Sequence, residues 1–144
     1  THIYTLVNDW CSKQENRNSF PPIVFNISDG EANDATPAEL IEIAEQIRQT
    51  GTEDGNTLFI NIHLGKLNDV ASEIFPSDGD FVPQSEYQLT LFRMSSLMPK
   101  ELESIIDEVT THKGQRPYRG AAFNVTPGEL LNILNIGSES INIA

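Results

Sequence analysis

The sequence predicts an α/β fold: a three-layer, Rossmann-like parallel sheet with helices on both faces. Three observations carry this. Short apolar runs at residues 22–28, 56–64 and 120–125 are rich in β-branched and aromatic residues, as buried strands of a parallel sheet are. Between them lie segments whose apolar residues recur three and four apart, the helical period. The resulting order, helix, strand, helix, strand, helix, strand, helix, is that of successive βαβ units. The chain of 144 residues suits one domain, and 38% hydrophobic residues suffice for a core.

In chain order, residues 1–12 carry Ile3, Leu6, Val7 and Trp10 as a helical stripe. No N-cap precedes them, so the chain is expected to begin inside a helix. Residues 13–20 are polar and read as a loop. Pro21-Pro22 then lead into the apolar run Ile23, Val24, Phe25 and Ile27, which ends in the turn Ser28-Asp29-Gly30-Glu31. Thr36-Pro37-Ala38-Glu39 is a capping box, with proline at the first helical position. Leu40, Ile43, Ala44 and Ile47 form the face of the helix it starts, and Gly51 is the expected stop.

The run NTLFINIHL, residues 56–64, is the second strand. Residues 65–90 read as irregular, with the turn PSDGD at 76–80. Leu102, Ile105, Ile106 and Val109 mark a helix over 99–109, and GAAFNV at 120–125 is the third strand. Thr126-Pro127-Gly128-Glu129 repeats the capping box before a last helix that Gly137 is expected to stop.

Nine Lys and Arg stand against 21 Asp and Glu, a net charge of −12. That balance argues against a nucleic-acid partner and against an anionic membrane surface, and it fits basic protein partners or cations. No apolar run reaches the roughly 18 residues of a membrane span. No signal-peptide pattern opens the sequence, so a cytoplasmic location is the expectation. Cys11 is the single cysteine, which excludes an intrachain disulfide; beside Trp10 it reads as a small core residue.

Asp29 is the main candidate site residue. Ligands of parallel α/β sheets bind beyond the carboxyl ends of the strands, where Asp29 falls, and a carboxylate there can hold a hard cation. The alternative is a plain Asp-Gly turn. His63 reads as a strand-end or core histidine, and His2 and His112 as solvated. Asp78 and Asp80 lack the further acidic positions of a calcium loop. The glycosylation patterns at Asn26 and Asn124 overlap strands. A Ser28, His63 and Asp29 triad can be drawn, but no spacing supports it and no catalytic residue is assigned.

The stretch IVFNISDGEANDATPAEL resembles the fourth strand and following loop of von Willebrand factor A (vWA) domains. The segments LFRMSSLMPKEL and RGAAFNVTPGELLNILNIGS resemble the C-terminal part of bacterial vWA proteins. The resemblance spans about residues 3 to 138 and implies a single partial vWA-like domain over 1–144, its C-terminal half. It implies a metal-ion-dependent adhesion site that takes Mg, Mn or Ca. Of that site's three elements, Asp29 supplies the Asp of the Asp-Gly turn. No Asp-x-Ser-x-Ser occurs, and neither Thr1 nor Thr5 has the loop context of the family's threonine. With one element of three, this stretch alone is expected to hold metal weakly or not at all.

The implied function is a non-catalytic protein-binding module that recognises a protein ligand through a cation. The alternatives are a Mg-dependent phosphotransfer enzyme with Asp29 as ligand, or a structural fragment assembling through an open sheet edge. In the family's strand order 3-2-1-4-5-6, the strand at 22–28 would pair with a first strand that is not in this sequence. It is therefore expected to be an edge that pairs with a second copy of the chain or with its own upstream half.

Overall fold

The structure is a computed structural model that describes residues 2–28, 36–65, 71–77, 79 and 81–139. Its elements are α1 (His2–Ser12), a single 3-10 turn (Gln14–Asn16), β1 (Ile23–Ser28), α2 (Pro37–Gln49), β2 (Gly51–Thr52), β3 (Gly55–Asn56), β4 (Leu58–Leu64), β5 (Glu73–Ile74), α3 (Glu86–Met94), α4 (Lys100–Ile106), β6 (Ala121–Val125) and α5 (Pro127–Glu139). None of the described helices is long and apolar enough to cross a membrane.

The sheet order is β1-β4-β6-β5. The three strands legible in the sequence run parallel: β1 pairs with β4 from Ile23↔Leu58 to Ser28↔His63, and β4 pairs with β6 from Asn61↔Ala121. β5 closes the far edge antiparallel, and β2 and β3 form a separate antiparallel ribbon. Each of those three is two residues long, too short to show a period.

Pleat alternation divides the sheet between two cores. Ile60 and Ile62 of β4, with Ala122 of β6, pack under α4 and α5 through Leu102, Ile106, Ile133 and Ile136. Phe59 of β4, with Ala121 and Phe123 of β6, packs under α2 and α3 through Ala44, Ile47, Leu91 and Met94. Helices thus cover both faces, compatible with a Rossmann-like fold. β4 is buried for five residues and then half-buried, whereas no residue of β1 is buried. β1 is the sheet edge among the described residues.

Several expectations need correction. Residues 65–90 are not irregular throughout, since they hold β5 and the start of α3. Gly137 does not stop the last helix, which continues to Glu139. A β-carbon on Gly137 would lie 3.2 Å from Cε2 of Phe25, so glycine there lets α5 approach β1 closely. In α1 only Val7 of the apolar stripe is buried, while Ile3 and Leu6 are exposed. The helix packs on α2 and β2, so most of its stripe lies uncovered by described residues. Cys11 is half-buried rather than core. His112 is not solvated: its ring contacts Glu73 and, at 3.1 Å, Gln115.

The segment after α4 is pinned by Tyr118, whose side chain is fully buried. Its hydroxyl donates to Asp107 Oδ1 at 2.5 Å and accepts from the Gly114 N–H at 3.0 Å, and Arg116 pairs with the same carboxylate. The Tyr118 hydrogen bond, outweighing burial and helped by Arg116, holds the Asp107 carboxyl below its ordinary range. The unfolded chain therefore takes up this proton first as the pH falls. The contribution is complete above the unfolded value of about 4 and is lost on acidification through the lower folded value. Tyr118→Phe is expected to destabilise the protein near neutrality. Urea unfolding should show the gap to wild type narrowing as the pH falls below the ordinary carboxylate value of about 4, and a pH-independent gap would contradict this assignment.

Candidate functional site

β1 and β4 end side by side, with Ser28 and His63 as register partners. Tyr87, in the first turn of α3, covers them. Its hydroxyl shares a 2.7 Å hydrogen bond with Ser28 Oγ, and its ring meets the His63 ring edge-on at 5.9 Å. The Asn124 N–H of β6 donates to His63 Nδ1 at 3.3 Å. An accepting Nδ1 puts the ring proton of a neutral imidazole on Nε2. Ser28, His63, Tyr87 and Asn124 are all half-buried, so the cluster forms a lip at the carboxyl ends of the strands, where ligands of such sheets bind.

A β-bulge builds this lip. The β4–β6 register shifts between Ile62 and Leu64, and Asn124 sits at φ +58°. Asparagine tolerates the left-handed region better than other residues with a β-carbon. Opposite it, a β-carbon on Gly65 would lie 3.0 Å from the Asn124 backbone. The extra residue also reverses the side-chain phase of β6. Ala122 and Val125, three apart, consequently share the core under α4 and α5.

Below the lip runs a polar chain. Asn26 Nδ2 donates to Asn61 Oδ1 at 2.8 Å, Asn61 Nδ2 to Ser95 Oγ at 3.0 Å, and Ser95 Oγ to the Leu91 carbonyl at 2.7 Å. Asn61 and Ser95 are fully buried, so the chain locks α3 to the sheet. It also commits the Asn26 amide, the atom that the glycosylation pattern would need free.

At the start of α5 the predicted capping box is complete. Glu129 N–H donates to Thr126 Oγ1 at 3.2 Å and Thr126 N–H to Glu129 Oε1 at 3.0 Å. The Ser72 hydroxyl donates to the other carboxylate oxygen at 2.7 Å. Burial pushes the Glu129 pKa up, but these hydrogen bonds outweigh it and leave the pKa below its ordinary value. Glu129 is thus occupied as a cap. At α2, Thr36 Oγ1 accepts from the Glu39 N–H at 3.2 Å.

Asp29 and Gly30 lie outside the described residues, as do Thr1, Asp78 and Asp80. Thr5 lies within α1. Of the residues singled out from sequence, Ser28 and His63 come together, and His112 lies elsewhere with Glu73. Tyr87 and Asn124 are the additions. The pairing Ser85-x-x-Gln88 was the available signal for Tyr87: Ser85 Oγ accepts from the Gln88 N–H at 3.1 Å and starts α3.

Among the described residues, no three His, Cys, Asp or Glu side chains group to hold a metal. Those at the lip offer two mutually bonded hydroxyls and an imidazole, which do not make a site for a hard cation without a carboxylate. No protein-family model, no curated protein and no solved structure matches the chain.

Proposed function

We propose that the chain is a non-catalytic, protein-binding module of vWA type. It reads its partner at the carboxyl-end crevice, through a divalent cation to which Asp29 contributes the carboxylate. The observation that supports this is the parallel order β1-β4-β6, in which β1 ends at Ser28, one residue before Asp29, beside His63 and Tyr87. A partner's carboxylate would take a coordination position that protein and water leave open. A phosphotransfer enzyme would need a second carboxylate at a neighbouring strand end, and β4 ends there in His63 and Leu64.

Titration calorimetry with Mn²⁺ and Mg²⁺ tests the reading. Wild type is expected to bind at about millimolar strength, and Asp29→Ala to lose at least about tenfold. Equal binding by wild type and Asp29→Ala, no binding by either this chain or one extended upstream, or hydrolysis of a phosphate ester by the metal-loaded chain would overturn it. The edge position of β1 among the described residues adds a second part to the reading, self-association through residues 22–28.

A further inference from the structure

At the opposite, amino end of the strands, a cleft of about 330 Å³ lies between the end of α2, the start of β4 and the loop after α3. Glu45, Arg48, Asn56, Thr57 and Ser96 are among its lining residues. Two of its polar side chains are engaged within the fold. Thr57 Oγ1 bonds Thr50 Oγ1 at 2.8 Å, and Ser96 Oγ accepts from the Phe59 N–H at 2.9 Å.

Arg48 differs in holding a buried donor that no acceptor meets. Its Nη1 donates to the Ser95 carbonyl at 3.1 Å, while its Nε is buried and donates to nothing. A buried donor without a partner costs about 1–3 kcal/mol, so such a group calls for an explanation. Among the described residues Arg48 makes no ion pair, although Glu45 lies one turn away on α2. Arg119 approaches from the far side, its Nη1 donating to the same Ser95 carbonyl at 2.8 Å. Two guanidinium groups thus converge on one oxygen, in a protein of net charge −12.

With Nη1 spent on the backbone, Arg48 keeps its Nε–Nη2 edge, the fork that grips a carboxylate or phosphate with two parallel hydrogen bonds. We propose that this cleft binds a small oxyanion, a carboxylate or phosphoryl group, gripped by Arg48, with Arg119 supplying the second positive charge. Burial, and then the like charge of Arg119, lower the Arg48 pKa, with Glu45 an opposing influence. An anion in the cleft would oppose both by favouring the charged guanidinium. The inference is independent of the crevice at the other end of the strands.

Titrating the chain at low salt with inorganic phosphate, and separately with acetate, while following backbone amide resonances, tests it. A saturable shift at Asn56, Thr57 and Ser96 is expected with at least one anion, and the two arms separate a phosphoryl site from a carboxylate site. Arg48→Met is expected to weaken binding at least about tenfold. Arg48→Lys, which keeps the charge without the fork, should also bind more weakly while unfolding at the wild-type urea concentration. Arg93→Met, an exposed change on α3, should bind as wild type. Lack of a saturable shift with either anion, as when water alone satisfies Nε, would overturn the proposal. So would undiminished affinity in both Arg48 variants.

Discussion

Replacing Phe123 with alanine is expected to destabilise the protein by about 3–5 kcal/mol, the range for emptying a fully buried aromatic site. Phe123 is completely buried in β6 and heads an aromatic column. Phe81 stacks on it at 4.9 Å, Phe92 stacks on Phe81 at 4.8 Å, and the Arg119 guanidinium lies 5.0 Å from the Phe92 ring centroid. Cavity, stacking and cation–π contributions are lost together, because removing the base leaves Phe81 without its support. Phe123→Leu keeps most of the volume and should lose about 1.5 kcal/mol or less. Urea unfolding of the two variants checks this. A loss below about 1 kcal/mol for the alanine variant would mean that Phe81 and α3 collapse into the space.

Ile27→Lys is expected to shift self-association at least about tenfold toward monomer, an effect of roughly 1.4 kcal/mol per dimer. The Leu58 N–H donates to the Pro22 carbonyl at 2.9 Å, so the Pro22 carbonyl faces β4. By alternation the backbones of Ile23, Phe25 and Ile27 face away from β4. The strand holds no charge, no lysine and no proline, the usual guards of an exposed edge. Ile27, at 43% exposure, presents an apolar side chain there. A second copy of β1 meets no charge repulsion because the strand has no charge. Light scattering over a concentration series decides the matter: a wild type that stays monomeric throughout removes the pairing, as does an Ile27→Lys variant that associates equally well.

The sheet was legible because strands of parallel sheets read as near-continuous apolar runs. Ile23 to Ile27, Leu58 to Ile62 and Ala121 to Val125 have that composition apart from one asparagine each. α2 and α5 were legible from their capping boxes, whose hydrogen bonds are present at Thr36 and Thr126. α3 escaped notice because its buried face includes Gln88 and Thr90, which break the apolar period. Its box, Ser85 to Gln88, lay in a stretch dominated by turn residues. The candidate site was half visible. Ser28 and His63 are strand-end residues whose pairing follows once the parallel order is known. Tyr87 joins them from 59 residues away in sequence, and the turn of Asn124 depends on the missing side chain of Gly65. Neither contact leaves a local trace.

α3 touches both ends of the strands. Its first turn leans on Ser28 and His63 through Tyr87, and its C-cap, Ser95, offers the carbonyl that receives Arg48 and Arg119. Nine residues of helix, about 13 Å long, therefore act as a rigid lever between two remote surfaces. A tilt of α3 that moved the tyrosine would also move the carbonyl that Arg48 and Arg119 share.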